Sequence, residues 1–524
     1  MGLRLSNRQL FSYGLVILLI GAAIGSVSLT YPYGRDQGIY AYAGKLLLEG
    51  KMNYRYVFDL KPPGIHFLFA FIQLIAGESM LGARFFDIAW QSFTGLFVFL
   101  IAFRFSRSKI LSLTAAFLYI FLYFRLDYWH TLQTDGSLNL LFAVSVLLLI
   151  SSYESHSFLK VFFAGILFSA ALLIKYTIIS FLPLLFICFL LSKKELFSLR
   201  IKNILAYSVG LLVPIASVIL LYYLSNSLNE LIDLQFVQTP LYTKIAYETE
   251  STKFITDHIV RLFTYSVYSP LILFSVIAII IVIIKKKIDF VNMLLFSWIF
   301  STIFSLIIQW KFYYYHFLVI IPPIVIGTVY GLSLIKENFK LRPAIYKPVF
   351  IICFFGFIAF GFKPYIENYS TLNDYVSGKK SLNDTYIKNG FTSDSVFMFS
   401  KTLKAVEQVK RDTNPDDGIF VWGFDPLIYY LSGRKCVSRF IYNFPLLWKA
   451  ENRSFRREFM TEIETKNPKV IIVAKNDPLK FISGYDEDSK QLLQRFPEFN
   501  SLINSKYSYK TSVDDYEFYE LKNW

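Results

Sequence analysis

The sequence predicts an α-helical polytopic membrane protein of about eleven transmembrane helices. It carries an amphipathic-helix first outer loop and a small C-terminal α/β domain. Three observations lead there. Of the 524 residues, 55% are hydrophobic and 17% are charged, whereas ordinary globular domains carry about 25% charged residues. The mean hydropathy is +0.45, and the apolar residues fall in runs near the roughly 20 needed to cross a hydrocarbon core of about 30 Å. The tail beyond residue 363 instead alternates short strand-like and helix-like stretches.

The net charge of +15 does not point to nucleic acid. From Tyr365 onward 23 Lys/Arg stand against 22 Asp/Glu, so the excess belongs to the membrane half, where basic residues orient helices. Cys188, Cys353 and Cys436 are scattered and predict neither a disulfide framework nor a thiolate metal site.

Spans are expected near 11–30, 79–103, 110–125, 132–150, 158–174, 177–191, 203–224, 266–284, 290–309, 313–335 and 346–362. A single helix from Phe158 to Leu191 would reach about 51 Å at 1.5 Å per residue, too long for one crossing, so a tight turn is placed at Lys175–Tyr176. Loops on one side hold Arg4 and Arg8, then Arg104, Arg107 and Lys109, then Lys193, Lys194, Arg200 and Lys202. Lys285 to Lys287 and then Lys336, Lys340, Arg342 and Lys347 follow on the same side. The positive-inside rule makes that side cytoplasmic, N-terminus included. Segments 31–79, 226–265 and everything after Lys363 then lie outside a plasma or inner membrane. The first span lacks a small-residue cleavage site and reads as a retained anchor.

The domains follow: 1–363 is the transmembrane domain, with outer loop 31–79, and 364–524 is a soluble extracytoplasmic domain. In the loop, Ile39–Glu49 and Pro62–Ala76 read as amphipathic helices suited to the interface. In the tail, "GIFVWG", "SRFIY" and "KVIIVAK" read as strands, with helices at Pro426–Leu431 and Phe455–Thr465. No P-loop or dinucleotide-binding glycine motif is present.

Ionisable residues in or beside spans are costly and are functional candidates. Here they gather on the outer side: Asp36, Lys61, Arg84, Asp87, Asp135, Lys175, Lys311 and His316, the last beside Tyr313–Tyr315. A carboxylate can take a proton from an acceptor hydroxyl. Lys and Arg can hold a phosphate and stabilise the charge it gains on leaving. The set therefore fits transfer of a sugar from a lipid phosphate to an acceptor outside. Several of these residues also have a structural reading. Asp36 could cap a helix, Arg84 and Asp87 have i,i+3 pairing distance, and Lys175 could snorkel. His316 could pack among tyrosines, and the tyrosine run could be an interfacial belt. His66, His130, His156 and His258 stand isolated and are given no role.

The stretches "GRDQGIYAYAGKLLLEG" and "YRYVFDLKPPGIHFLFAFIQLIAGESMLGARF", then "TDGSLNLLF", "FYYYHFLVIIPP" and "VWGFDPLIYYLSGRKCVSRFIY", together resemble the GT-C membrane glycosyltransferases. The match is to family 39, which holds protein O-mannosyltransferases and aminoarabinose transferases. The resemblance implies an inverting enzyme, without a cofactor, using a polyprenyl-phosphate sugar and a lipid, glycan or protein acceptor. It implies catalytic roles for Asp36 and Asp135, phosphate binding by Lys61, and substrate contacts for Arg84, Lys175, Lys311, Tyr315 and His316. Many members have Asp-Glu where this chain has Asp36-Gln37, and the aminoarabinose-transferring members have an acidic residue where Leu60 stands, so no metal is expected. The alternative is a lipid or sugar transporter with an outward-facing cavity, although no internal repeat of the transporter kind is visible.

Overall fold

The computed structural model describes residues 5–192, 196–249, 252–264, 266–339, 343–391, 396–448 and 453–522. Arg4, Lys193, Lys194, Lys340 and Arg342, named above as orienting cations, lie outside the described residues. The chain forms two compact units. The first comprises Met1–Leu29, Arg84–Ile219 and Thr252–Ser377, and the second Thr30–Ala83, Leu220–Ser251 and Gly378–Trp524.

The first unit is helical, and together with Phe197–Leu224 its helices coincide with all eleven expected spans. Among the described residues six helices are long and apolar enough to cross a membrane, or seven if the pair Thr252–Thr264 and Ser269–Ile284 counts as one. Lys109–Phe124, Phe158–Ile174 and Tyr176–Leu191 are apolar but shorter. The predicted turn is present: Phe158–Ile174 ends at Lys175, whose extended backbone leads into a one-turn 3-10 segment before Phe181–Leu191. Without a hydrophobic force between helices in lipid, small residues let backbones approach. A Cβ on Gly165 would sit 2.3 Å from the Tyr207 carbonyl oxygen, and one on Gly210 would sit 2.0 Å from that of Phe162. The helices Phe158–Ile174 and Phe197–Leu224 thus meet main chain to main chain.

The second unit is built on a five-stranded sheet. Its strands are β1 (Gly418–Trp422), β2 (Lys435–Cys436), β3 (Val470–Ala474), β4 (Tyr507–Val513) and β5 (Tyr516–Leu521), in the order β2-β1-β3-β5-β4. β1 runs parallel to β2 and β3, whereas β5 is antiparallel to β3 and β4. All of β3 and all but the first residue of β1 are buried, as suits strands covered on both faces. Phe420, Trp422, Phe459, Phe496 and Phe499 form an aromatic core beneath them.

The first loop folds onto this unit. The helix Arg35–Leu48 (hereafter the loop helix) packs on Pro63–Ala76, where a Cβ on Gly44 would meet the Ala70 amide nitrogen at 2.7 Å. It also packs on Leu427–Ser432, where a Cβ on Gly38 would meet Leu427 Cγ at 2.7 Å. "SRFIY" is not a strand. Its apolar residues Phe440 and Ile441 are buried in a loop, and its Arg439 carbonyl accepts the Phe58 amide at 2.7 Å. The extended pattern thus reflects burial against the first loop, not a place in the ladder. The hairpin β4–β5, turning at Asp514–Asp515, is an element the sequence pattern did not predict.

Candidate active site

In the second unit Asp36 occupies the first turn of the loop helix, where the field of the helix N-terminus favours a carboxylate. Gly34, not Asp36, is the capping residue, and its amide donates to Gln37 Oε1 at 3.0 Å. Gln37 is fully buried, so its amide closes the helix end. Lys61 stands just ahead of Pro62 and Pro63, which open the next helix. The main chain there is clamped. The Lys61 carbonyl accepts from the Tyr54 hydroxyl at 2.8 Å and Gln235 Nε2 at 3.3 Å, and the Leu60 carbonyl accepts from Thr239 Oγ1 at 3.3 Å. Burial pushes the Tyr242 hydroxyl up to about 12, with Asp36 and Asp59 reinforcing the shift and Lys61 opposing it. Burial also raises Tyr442, helped by Asp59, Tyr242 and Asp36. These side chains share one neighbourhood.

Between them lies a pair that the sequence did not announce. His66 is fully buried, and its Nε2 meets Asp59 Oδ2 at 2.7 Å, while Asp59 Oδ1 accepts the Leu60 amide at 2.8 Å. His66 is therefore not isolated. Seven residues and a proline-initiated helix separate the two, and no local periodicity connects them.

In the first unit Asp135 is fully buried and ion-paired with Lys175, and its Oδ2 also accepts from Thr134 Oγ1 at 3.1 Å. Lys175 Nζ lies 6.0 Å from the Tyr315 ring centroid, and that ring meets His316 edge-on at 4.5 Å. The fold thus brings Asp135, Lys175, Tyr315 and His316 together. His130 joins the aromatic group, 5.3 Å from Tyr314 and 6.3 Å from Tyr315, with its Nδ1 on Asp127 Oδ1 at 2.7 Å. Half-buried Lys311 sits at a tight corner between Trp310 and Phe312, both in the left-handed region, just before this run. Arg84 donates to Thr131 Oγ1 at 3.0 Å and to the Tyr128 carbonyl at 3.2 Å, tying its helix to the following loop. The carboxylate of Asp87 accepts from Gln91 Nε2 at 3.0 Å and from the Tyr123 hydroxyl at 2.9 Å.

Residues 60–223 match the family model described as dolichyl-phosphate-mannose-protein mannosyltransferase. The matched segment opens at Leu60, next to the lysine of the KPPG stretch. Over 98% of both chains the structure superposes, with a TM-score of 0.57 and 12% identity, on the crystal structure of ArnT from Cupriavidus metallidurans bound to undecaprenyl phosphate. The chain thus shares the fold of that structure, and its residues 60–223 resemble the mannosyltransferase family. No curated protein sequence matches it. No group of three or more His, Cys, Asp or Glu side chains converges to hold a metal ion among the described residues. Asp59 and His66, two donors already bonded to each other, do not by themselves make such a site. The signal that could have found this pair is chemical: both are ionisable, and they flank Lys61 in "FDLKPPGIHF".

Proposed function

We propose that this transferase moves a sugar from a polyprenyl phosphate to a hydroxyl of a lipid, glycan or protein on the outer face, in one inverting displacement. The acceptor oxygen attacks the anomeric carbon as the bond to the phosphate oxygen breaks. The hydroxyl proton passes to Asp36, and Lys61 stabilises the charge gathering on the departing phosphate. One observation carries this reading: the charges of Asp36 and Lys61 act on the same Tyr242 hydroxyl, on two elements the fold clamps independently. A single carboxylate suffices for one displacement, and Gln37 is engaged in capping. The undecaprenyl phosphate bound to ArnT supports a lipid of that kind as carrier.

In the same proposal Asp135 positions the acceptor or its loop. Lys175, Lys311, Tyr315 and His316 face the sugar or its phosphate, and Arg84 orders the loop at Tyr128–Thr131. Residues 364–524 lie outside the membrane and help select the acceptor.

The test is transfer from a radiolabelled polyprenyl-phosphate sugar by purified protein in lipid vesicles. Asp36→Asn should abolish transfer without changing the melting curve. Wild-type rates in that variant would refute the role. Lys61→Ala should raise the donor concentration needed for half-maximal rate. Mass spectrometry of surface glycans and lipids from cells with and without the protein would identify the product.

A further inference from the structure

At the carboxyl ends of β1 and β3 the second unit contains a partly open recess that the transfer chemistry does not use. The two strands are adjacent and parallel, and β2 lies on the far side of β1. Their ends therefore flank the point where the winding reverses, the place where open α/β sheets bind ligands. Phe424 and Asp425 follow β1 and Asp477 follows β3. Met398, Tyr516 and Arg35, the residue before Asp36, also line it, as do Lys401, which pairs with Asp515, and Lys475, which donates to Ser512 Oγ at 3.1 Å. With its mouth the recess encloses about 310 Å³, and its closed end accepts a group of about water size.

The polar groups inside are incompletely satisfied. Arg35 is 4% exposed. Its guanidinium lies against the rings of Phe397 and Phe424 at 5.3 and 5.5 Å, and Nη2 donates to the Val396 carbonyl at 2.9 Å. Its Nε is buried without a partner. Asp425 is 1% exposed, and its Oδ2 accepts from Thr402 Oγ1 at 2.6 Å and the Tyr516 hydroxyl at 2.5 Å, while Oδ1 is buried without a partner. Asp477 is occupied by the amide and hydroxyl of Ser489. An orphan donor and an orphan acceptor thus border one small space, and leaving either unmade is costly.

The chemistry of the missing group follows. An ammonium would satisfy Asp425 but meet Arg35, a like charge. A phosphate or carboxylate would satisfy Arg35 but face Asp425 and Asp477, while Lys401 and Lys475 are already engaged by Asp515 and Ser512. A hydroxyl both donates and accepts. We propose that the recess is a carbohydrate subsite in which Asp425 accepts from, and Arg35 donates to, one sugar hydroxyl, with Phe424 as the apolar wall. Assigning that sugar to the acceptor rests on the transferase reading, whereas sugar binding itself does not. A sugar held there also fixes the first turn of the loop helix, because Arg35 and Asp36 are consecutive.

The experiment is saturation-transfer NMR on the full-length protein in detergent, without lipid donor. The probes are free glucose, galactose, mannose and N-acetylglucosamine, with ammonium chloride and inorganic phosphate as competitors. At least one sugar should bind, and Asp425→Asn, which turns an acceptor into a donor, should weaken it about tenfold. Met398→Trp should block the mouth without touching the charged groups, and it decides alone should Asp425→Asn fail to fold. Asp36→Asn should bind sugar as the wild type does, so wild-type transfer with retained binding in that variant overturns only the transferase reading. Absence of binding by all four sugars overturns the subsite. So does wild-type affinity in Met398→Trp, or competitive displacement by phosphate or ammonium.

Discussion

Replacing His66 by phenylalanine isolates the energetic role of the Asp59–His66 pair. Phenylalanine keeps an aromatic ring beside Tyr40 and Tyr54, whose centroids lie 6.2 and 6.1 Å from that of His66, so packing changes little. What is lost is the partner of a carboxylate that is 3% exposed. Removing one member of a buried pair costs about 3–5 kcal/mol, because the remaining charge is left uncompensated. The double variant Asp59→Asn/His66→Phe removes that charge while the amide oxygen still accepts from the Leu60 amide. Its cost is that of unsatisfied amide donors, about 1–3 kcal/mol. The double variant should therefore be the more stable of the two by about 2 kcal/mol. Thermal unfolding of the full chain in detergent should rank wild type, double variant and single variant in that order. A single variant as stable as the double would refute the argument that His66 is what satisfies buried Asp59.

Three further outcomes are expected. Lys175→Met should lower the folded yield by stranding Asp135, at a cost of about 3–5 kcal/mol, and Asp135→Asn/Lys175→Met should restore most of it on size-exclusion profiles. Gly44→Ala should lower the melting temperature, because the new methyl meets backbone at 2.7 and 2.9 Å and overpacking costs about 1–3 kcal/mol. Gly356→Ala, facing open space, serves as its neutral control. Burial raises the Asp425 and Asp477 carboxyls, with Arg35 opposing. A raised value means the folded state holds the proton more tightly, so this stability is full below the ordinary value of 3.8 and is lost as pH rises through the raised value. The melting temperature of Asp425→Asn relative to wild type should accordingly climb as pH rises above 3.8, and a flat difference would contradict the shift.

Much of this was legible because it depends on local physics. The break at Lys175 follows from helix rise against bilayer thickness. β1 and β3 were visible as short apolar runs, and the two loop helices from amphipathic spacing, although the first begins at Arg35 and takes Asp36 into its first turn. What escaped depends on distant partners. "SRFIY" has the composition of a strand, but Phe440 stacks on Phe58, nearly 400 residues earlier in the chain, and burial there replaces ladder pairing. Gln37 read as a missing acid because capping by Gly34 has no sequence signature. Arg35 carries no local signal of its own, because the rings of Phe397 and Phe424 that flank it come from the far end of the chain. The hairpin at Asp514–Asp515 was the readable omission, since a polar turn between tyrosine-rich stretches is a local signal.

The second unit draws on residues 30–83, 220–251 and 378–524, and this ordering has a consequence for biosynthesis. The loop helix is made early, yet the surfaces that receive Gly38 and Tyr42 belong to Leu427 and Cys436. At the ordinary rate of about 5–20 residues per second, roughly 20–80 s separate the emergence of Asp36 from that of its support. During that interval the nascent chain carries the proposed base without the framework that holds it. On the proposed function, catalytic competence would then arrive only after Leu427 and Cys436 have emerged, so the unsupported site would turn over no lipid carrier in the meantime.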